Sequence, residues 1–127
     1  MKTLVIEWKH LEVDGNTCVR CSDTGEALRE AIEQLAEECR SLGWEIKFKE
    51  TRLAAEDVAE SNVILFNGKP LEALLPEARA SATHCESCSR ITGKSTACRT
   101  IEFAGDTYGS IPASLIRQAA GRIIHCC

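Results

Sequence analysis

No stretch of the chain clusters lysine and arginine, and 15 basic residues stand against 19 acidic ones, for a formal net charge of -4. The basic face that neutralises phosphates is missing, so no nucleic-acid partner is expected. Nowhere do eighteen apolar residues follow one another, which excludes a membrane-spanning helix. The first apolar run, Leu4-Val5-Ile6, stops at Glu7 and is too short for the core of a secretory signal, so a cytoplasmic location is expected. There is no glycine-rich phosphate loop, no nucleophile elbow and no carboxylate pair of catalytic spacing, and aromatic residues are only 5% of the chain. Hydrophobic residues at 44% and charged residues at 27% are ordinary globular usage, which argues against disorder. The 127 residues are one domain's worth and can bury roughly two-thirds of their unfolded surface without crosslinks.

What is present in excess is cysteine. The eight fall at Cys18 and Cys21, Cys39, Cys85 and Cys88, Cys98, and Cys126 and Cys127. In a reducing compartment, closely spaced cysteines are metal sites or working redox centres more often than staples.

The remaining pattern reads as alternating elements. Leu4, Ile6 and Trp8 share one face of an interior first strand. A polar loop through Asp14-Gly15-Asn16 leads to Cys18-Val19-Arg20-Cys21, and Asp23 with Glu26 makes a capping box for a helix. Leu28, Ile32, Leu35, Cys39 and Leu42 give that helix about five turns, and Gly43 ends it. Cys39 lies on its apolar stripe and is expected in the core; Glu30, Glu33 and Glu37 form its solvated face. Trp44, Ile46 and Phe48 alternate as a half-buried strand, and a short helix is expected over 54–60. Val63-Ile64-Leu65-Phe66 is apolar on both faces, as a central strand covered by helices on each side would be, and Asn67-Gly68 closes it with a turn. A short helical piece covers 71–75. From about 80 to 98 the composition shifts to Ser, Thr, Gly and Cys without apolar periodicity, so order there is expected to need a crosslink, with a metal as the candidate. Residues 100–108 read as a hairpin, and Pro112 opens a last helix carrying Leu115, Ile116 and Ala119 that Gly121 ends, leaving a flexible tail over 122–127. No repeat or linker divides the chain, so residues 1–127 are expected to form a single domain.

Strand, Cys-x-x-Cys, helix, strand, helix, strand, hairpin, helix is the order of a thioredoxin-like fold. The stretches Thr17–Cys21, Ser61–Glu72, Cys98–Ile101 and Tyr108–Pro112 resemble a prokaryotic cysteine-rich domain family of unknown function that is regarded as thioredoxin-like. The resemblance implies an α/β fold with a central mixed sheet of about four strands flanked by helices, and a Cys-rich insertion before the last hairpin. It implies no settled activity.

Two chemistries fit the cysteines. A helix N-terminus lowers a cysteine pKa from ~8.5 to as little as ~3.5, so Cys18 can attack a protein disulfide and Cys21 can resolve the mixed disulfide. With the helix starting at Asp23, however, both cysteines precede it, and Ser61-Asn62 stands where thioredoxin-like oxidoreductases carry a cis proline. The other chemistry is ion binding. Cys85, Cys88 and Cys98 supply three of the four ligands that zinc needs, His84 being too close to Cys85 to share the ion easily. Cys126 and Cys127 resemble the carboxy-terminal pair of mercuric reductases and suit capture of a soft ion on a mobile arm. The thiol count favours binding or relay of zinc or another thiophilic metal or metalloid ion, Cu(I), Hg(II) or As(III), with Cys18 and Cys21 also among the ligands. Thiol-disulfide exchange is the alternative, and a structural zinc without further chemistry is a third reading. The ion-relay reading requires the sulfurs to gather on one accessible side. His10 and His125 have no partner motif, and Trp8 and Trp44 read as packing.

Overall fold

In the computed structural model the described residues are 2–13, 15, 19–54, 56, 62–93 and 97–124, with the backbone alone at 19–20, 84, 86–88 and 98. The chain enters through β1 (Lys2–Leu11), whose Leu4, Ile6, Trp8 and His10 form one buried row by the two-residue period of a strand. Helix α1 (Val19–Arg40) carries the chain back, and β2 (Trp44–Leu53) lies parallel to β1 from Lys2↔Trp44 to Leu11↔Leu53. A parallel pair needs such a crossover, and α1 is it. Strand β3 (Val63–Phe66) runs antiparallel on the other side of β1, and Asn67-Gly68, both at positive φ, turn it into the two-residue β4 (Lys69–Pro70). The sheet order is β2-β1-β3-β4, a four-stranded mixed sheet with β1 interior.

The short α2 (Leu71–Leu74) then leads to a second, antiparallel sheet of β5 (Ala78–His84), β6 (Ala97–Phe103) and β7 (Asp106–Tyr108), with α3 (Glu86–Thr92) between β5 and β6. The last helix, α4 (Ala113–Ile124), packs against α1. Leu28, Ala31, Leu35 and Cys39 of α1, Leu115, Ile116, Ala119 and Ala120 of α4 and the inward residues of β1 and β3 form one core. Ala78 and Ile101 tie the second sheet into it, and the close Arg99–Glu72 ion pair joins β6 to α2. Each fully buried Leu, Ile or Phe in this core adds about 1.5–3 kcal/mol relative to exposure.

Several expectations are corrected. Helix α1 starts at Val19, not at an Asp23 cap, so Asp23 is an exposed residue inside it. The buried stripe runs back from Leu28 through Thr24 to Cys21 at helical spacing, and burying that stripe extends the helix. The helix ends at Arg40, so Leu42 lies beyond it and is 54% exposed. Phe48, on the edge strand β2, is also exposed, while Val63 and Leu65 are only half-buried on the face of β3 opposite Ile64 and Phe66. Within the Cys-rich stretch the described strands pair by backbone hydrogen bonds: β5 meets β6 from Ala78↔Phe103 to His84↔Ala97. Their hairpin with β7 forms as expected but belongs to the second sheet. Gly121 does not end α4, which continues to Ile124 because that side chain is buried. The helix expected over 54–60 falls largely outside the described residues.

Candidate functional site

The end of β1 and the start of α1 form the candidate site. Cys21 is the third residue of α1, a helix of 22 residues, and is fully buried. Helix length is about 33 Å, and the partial positive charge of its N-terminus acts within this first turn. Cys18 immediately precedes Val19 in sequence but lies outside the described residues.

The frame around this helix start is polar and buried. Trp8 packs on Gly25 of α1 so closely that a Cβ there would lie 2.7 Å from the indole ring. The indole Nε1–H donates to Asn62 Oδ1 at 3.3 Å, and Asn62 Nδ2–H donates to the Gly109 carbonyl at 3.0 Å. The Asn62 backbone N–H donates to the Lys9 carbonyl at 2.8 Å. Asn62 stands immediately before β3 at φ 67°, a left-handed conformation that asparagine tolerates better than most residues. Among the described residues no peptide bond is cis. Thr24, fully buried one turn after Cys21, accepts from the Ile111 N–H at 3.0 Å and so ties α1 to the segment that opens α4. Three elements are thereby fixed around the first turn of α1: β1, the start of β3 and the loop before α4.

His10 ends the buried row of β1 and is 2% exposed. Its ring stacks on Trp8 with centroids 3.9 Å apart, and its Nε2 lies 2.5 Å from Glu50 Oε2. Sequence reasoning assigned His10 no partner, missed Thr24, and marked Asn62 only by its place where a cis proline was sought. The signal available for His10 was its place in the Leu4, Ile6, Trp8 alternation, where a polar side chain needs a buried partner.

The second group of cysteines is assembled by β5, α3 and β6. Cys85 directly precedes α3, is 3% exposed and belongs to the same core as Cys21; its carbonyl accepts from the Ser89 N–H at 2.9 Å and from Ser89 Oγ at 2.8 Å. Cys88 lies on α3 three residues on, and the β5–β6 register sets Cys98 opposite Thr83, two residues before Cys85. The backbone thus converges for Cys85 and Cys98. Both Cys-x-x-Cys pairs have one register: the first cysteine precedes the first helical residue and the second is the third helical residue. Cys126, Cys127 and His125 lie outside the described residues. Cys39 is buried as expected. Cys21 and Cys85 are both buried: the apolar stripe of α1 carries the first inward and the core cluster encloses the second.

No solved structure matches this chain. A protein of Archaeoglobus fulgidus described as uncharacterized is 35% identical over 117 residues, covering 89% of this chain and 82% of that protein. The family model described as a domain of unknown function (DUF2703) matches residues 4–120. A cysteine-bearing helix start set in a four-stranded mixed sheet, a match across nearly the whole chain and an archaeal relative agree, and the chain belongs to that family, domain of unknown function DUF2703.

Proposed function

We propose that the protein performs thiol-disulfide exchange at Cys18 and Cys21, with Cys18 as the attacking thiolate and Cys21 as the resolving thiol. The observation that carries this reading is the position of Cys21 in the first turn of α1, fully buried. A resolving sulfur needs to be reached only from its neighbour three residues away, and burial shields it from competing disulfides and oxidants. Capture of an ion directly from solvent would need the opposite exposure. The sheet supports a thioredoxin-like reading as well: a β–α–β unit bearing Cys-x-x-Cys at the helix start is followed by the antiparallel β3–β4 pair and a C-terminal helix on the same core. Asn62 takes the place of the cis proline and holds β3 to β1 through its own hydrogen bonds.

The step balances as follows. The Cys18 thiolate attacks one sulfur of a protein disulfide, forming a mixed disulfide and releasing the other sulfur as a thiolate. Cys21, losing its proton, attacks the Cys18 sulfur and releases the substrate as a dithiol. Two electrons pass to the substrate, and Cys18 and Cys21 are left as a disulfide that an external dithiol reduces. A protein disulfide is the partner.

The test is reduction of insulin by dithiothreitol in the presence of the protein, followed by mass. Turnover above background is expected, abolished in Cys18→Ser. In Cys21→Ser a mixed disulfide with substrate accumulates through Cys18. No acceleration by the parent chain, or full activity in Cys18→Ser, contradicts the reading.

A second reading is favoured by the register of β5 and β6: thiophilic-ion binding by Cys85, Cys88 and Cys98, with Cys98 paired opposite Thr83 and Cys88 on the α3 helix between the two strands. A structural zinc tolerates the burial of Cys85. Native mass spectrometry of chelator-free protein distinguishes it: one tightly held ion lost in Cys98→Ser supports it, and an ion-free chain contradicts it.

A further inference from the structure

A separate group of side chains offers nitrogen and oxygen rather than sulfur. His10, Glu12 and Glu50 each offer one ligand atom, and these atoms all lie within 4.8 Å of one another. We propose that they bind a divalent first-row transition-metal ion at the carboxyl ends of β1 and β2.

The argument starts from the burial of His10. An imidazole 2% exposed, in a row otherwise made of Leu4, Ile6 and Trp8, is costly unless its nitrogens have fixed work. The ring is held flat against Trp8, with an interplanar angle of 17°, and Nδ1 lies 3.3 Å from the Leu11 carbonyl. A carbonyl only accepts, so in the tautomer protonated at Nδ1 the ring donates there and Nε2 can ligate an ion. Nε2 lies 2.5 Å from Glu50 Oε2, a close imidazole–carboxylate pair in which an ion would take the place of the shared proton. A histidine whose second nitrogen is pinned to a carbonyl is the arrangement that orients imidazole for a metal.

Glu12 adds the third ligand. Its backbone N–H donates to the Leu53 carbonyl at 3.1 Å, which holds it beside the end of β2. Arg52 Nε lies 3.0 Å from Glu12 Oε2. A carboxylate has two oxygens, so Glu12 can accept from Arg52 and still offer one to an ion. One imidazole and two carboxylates suit manganese, iron or zinc, with the remaining positions open to water. Glu12 and Glu50 are 26% and 32% exposed, so an ion can enter from solvent while the imidazole is fixed from within.

This site does not rest on the thiol reading. Manganese(II) is the probe because it prefers oxygen and imidazole to thiolate, which keeps the eight cysteines out of the measurement. Free manganese is counted by electron paramagnetic resonance during titration of the full chain and of Glu12→Gln and Glu50→Gln, two variants outside the core. One saturable site is expected in the parent, weakened at least about tenfold in each variant. Circular dichroism establishes that both variants are folded. Absence of saturable binding in the parent, or a weakening of less than tenfold in either folded variant, overturns the three-ligand site.

Discussion

Asn62 carries three hydrogen bonds from a left-handed backbone conformation, and that combination makes a sharp prediction at the level of a single residue. In Asn62→Ala the Trp8 indole and the Gly109 carbonyl lose their partner, at about 1–3 kcal/mol, and a left-handed alanine adds about 1–2 kcal/mol. Urea unfolding should therefore give a loss of about 3–4 kcal/mol, with Asn62→Gly recovering the conformational part alone. A loss below about 1 kcal/mol in the alanine variant would contradict the role. The sequence could mark this position, since Ser61-Asn62 stands where a cis proline was sought, but an asparagine that joins β1, β3 and Gly109 by hydrogen bonds has no signature of its own. Cys39 was legible because it falls on an apolar stripe. Cys21 was legible as a candidate site residue but not as a buried one, because Thr24 breaks the stripe in composition while continuing it in space.

At the level of elements, α1 determines what the site can do, and its packing on β1 depends on a glycine in a helix interior. Gly25→Ala gains about 1 kcal/mol in helix propensity elsewhere, yet here the new methyl group meets the Trp8 ring at 2.7 Å. Trp8 is 4% exposed and pinned by His10 and Asn62, so it cannot yield. Overpacking at about 1–3 kcal/mol outweighs the propensity, and thermal unfolding should shift down by a few degrees. An unchanged or raised Tm would show that the ring moves freely. Strand β1, the body of α1 and the Asn67-Gly68 turn were readable from periodicity and turn chemistry. The β5 strand was not: Ala80, Ala82 and Thr83 are exposed and Ser81 is half-buried, so no apolar alternation marks it. Its partner lies across α3, a separation that local pattern does not encode.

Across the whole molecule, two sheets share one core, since Ala78 and Ile101 of the second sheet pack with Leu4, Ile6, Ile64 and Phe66 of the first. Calorimetry should accordingly record one cooperative transition, and two resolved transitions would contradict a shared core. The α/β class and the four-stranded mixed sheet were within reach of the sequence, whereas the division into two sheets depends on pairings remote along the chain. Among the described residues no helix is long and apolar enough to cross a membrane. The central claim concerns sulfur: a cysteine ahead of α1 and a buried one within its first turn work as a pair. The most direct measurement is a redox titration in glutathione buffers with acid quenching and peptide mapping by mass. The account predicts a reversible Cys18–Cys21 disulfide with a midpoint between about −180 and −300 mV. Both cysteines remaining alkylatable across that range, or either one pairing elsewhere, would contradict it.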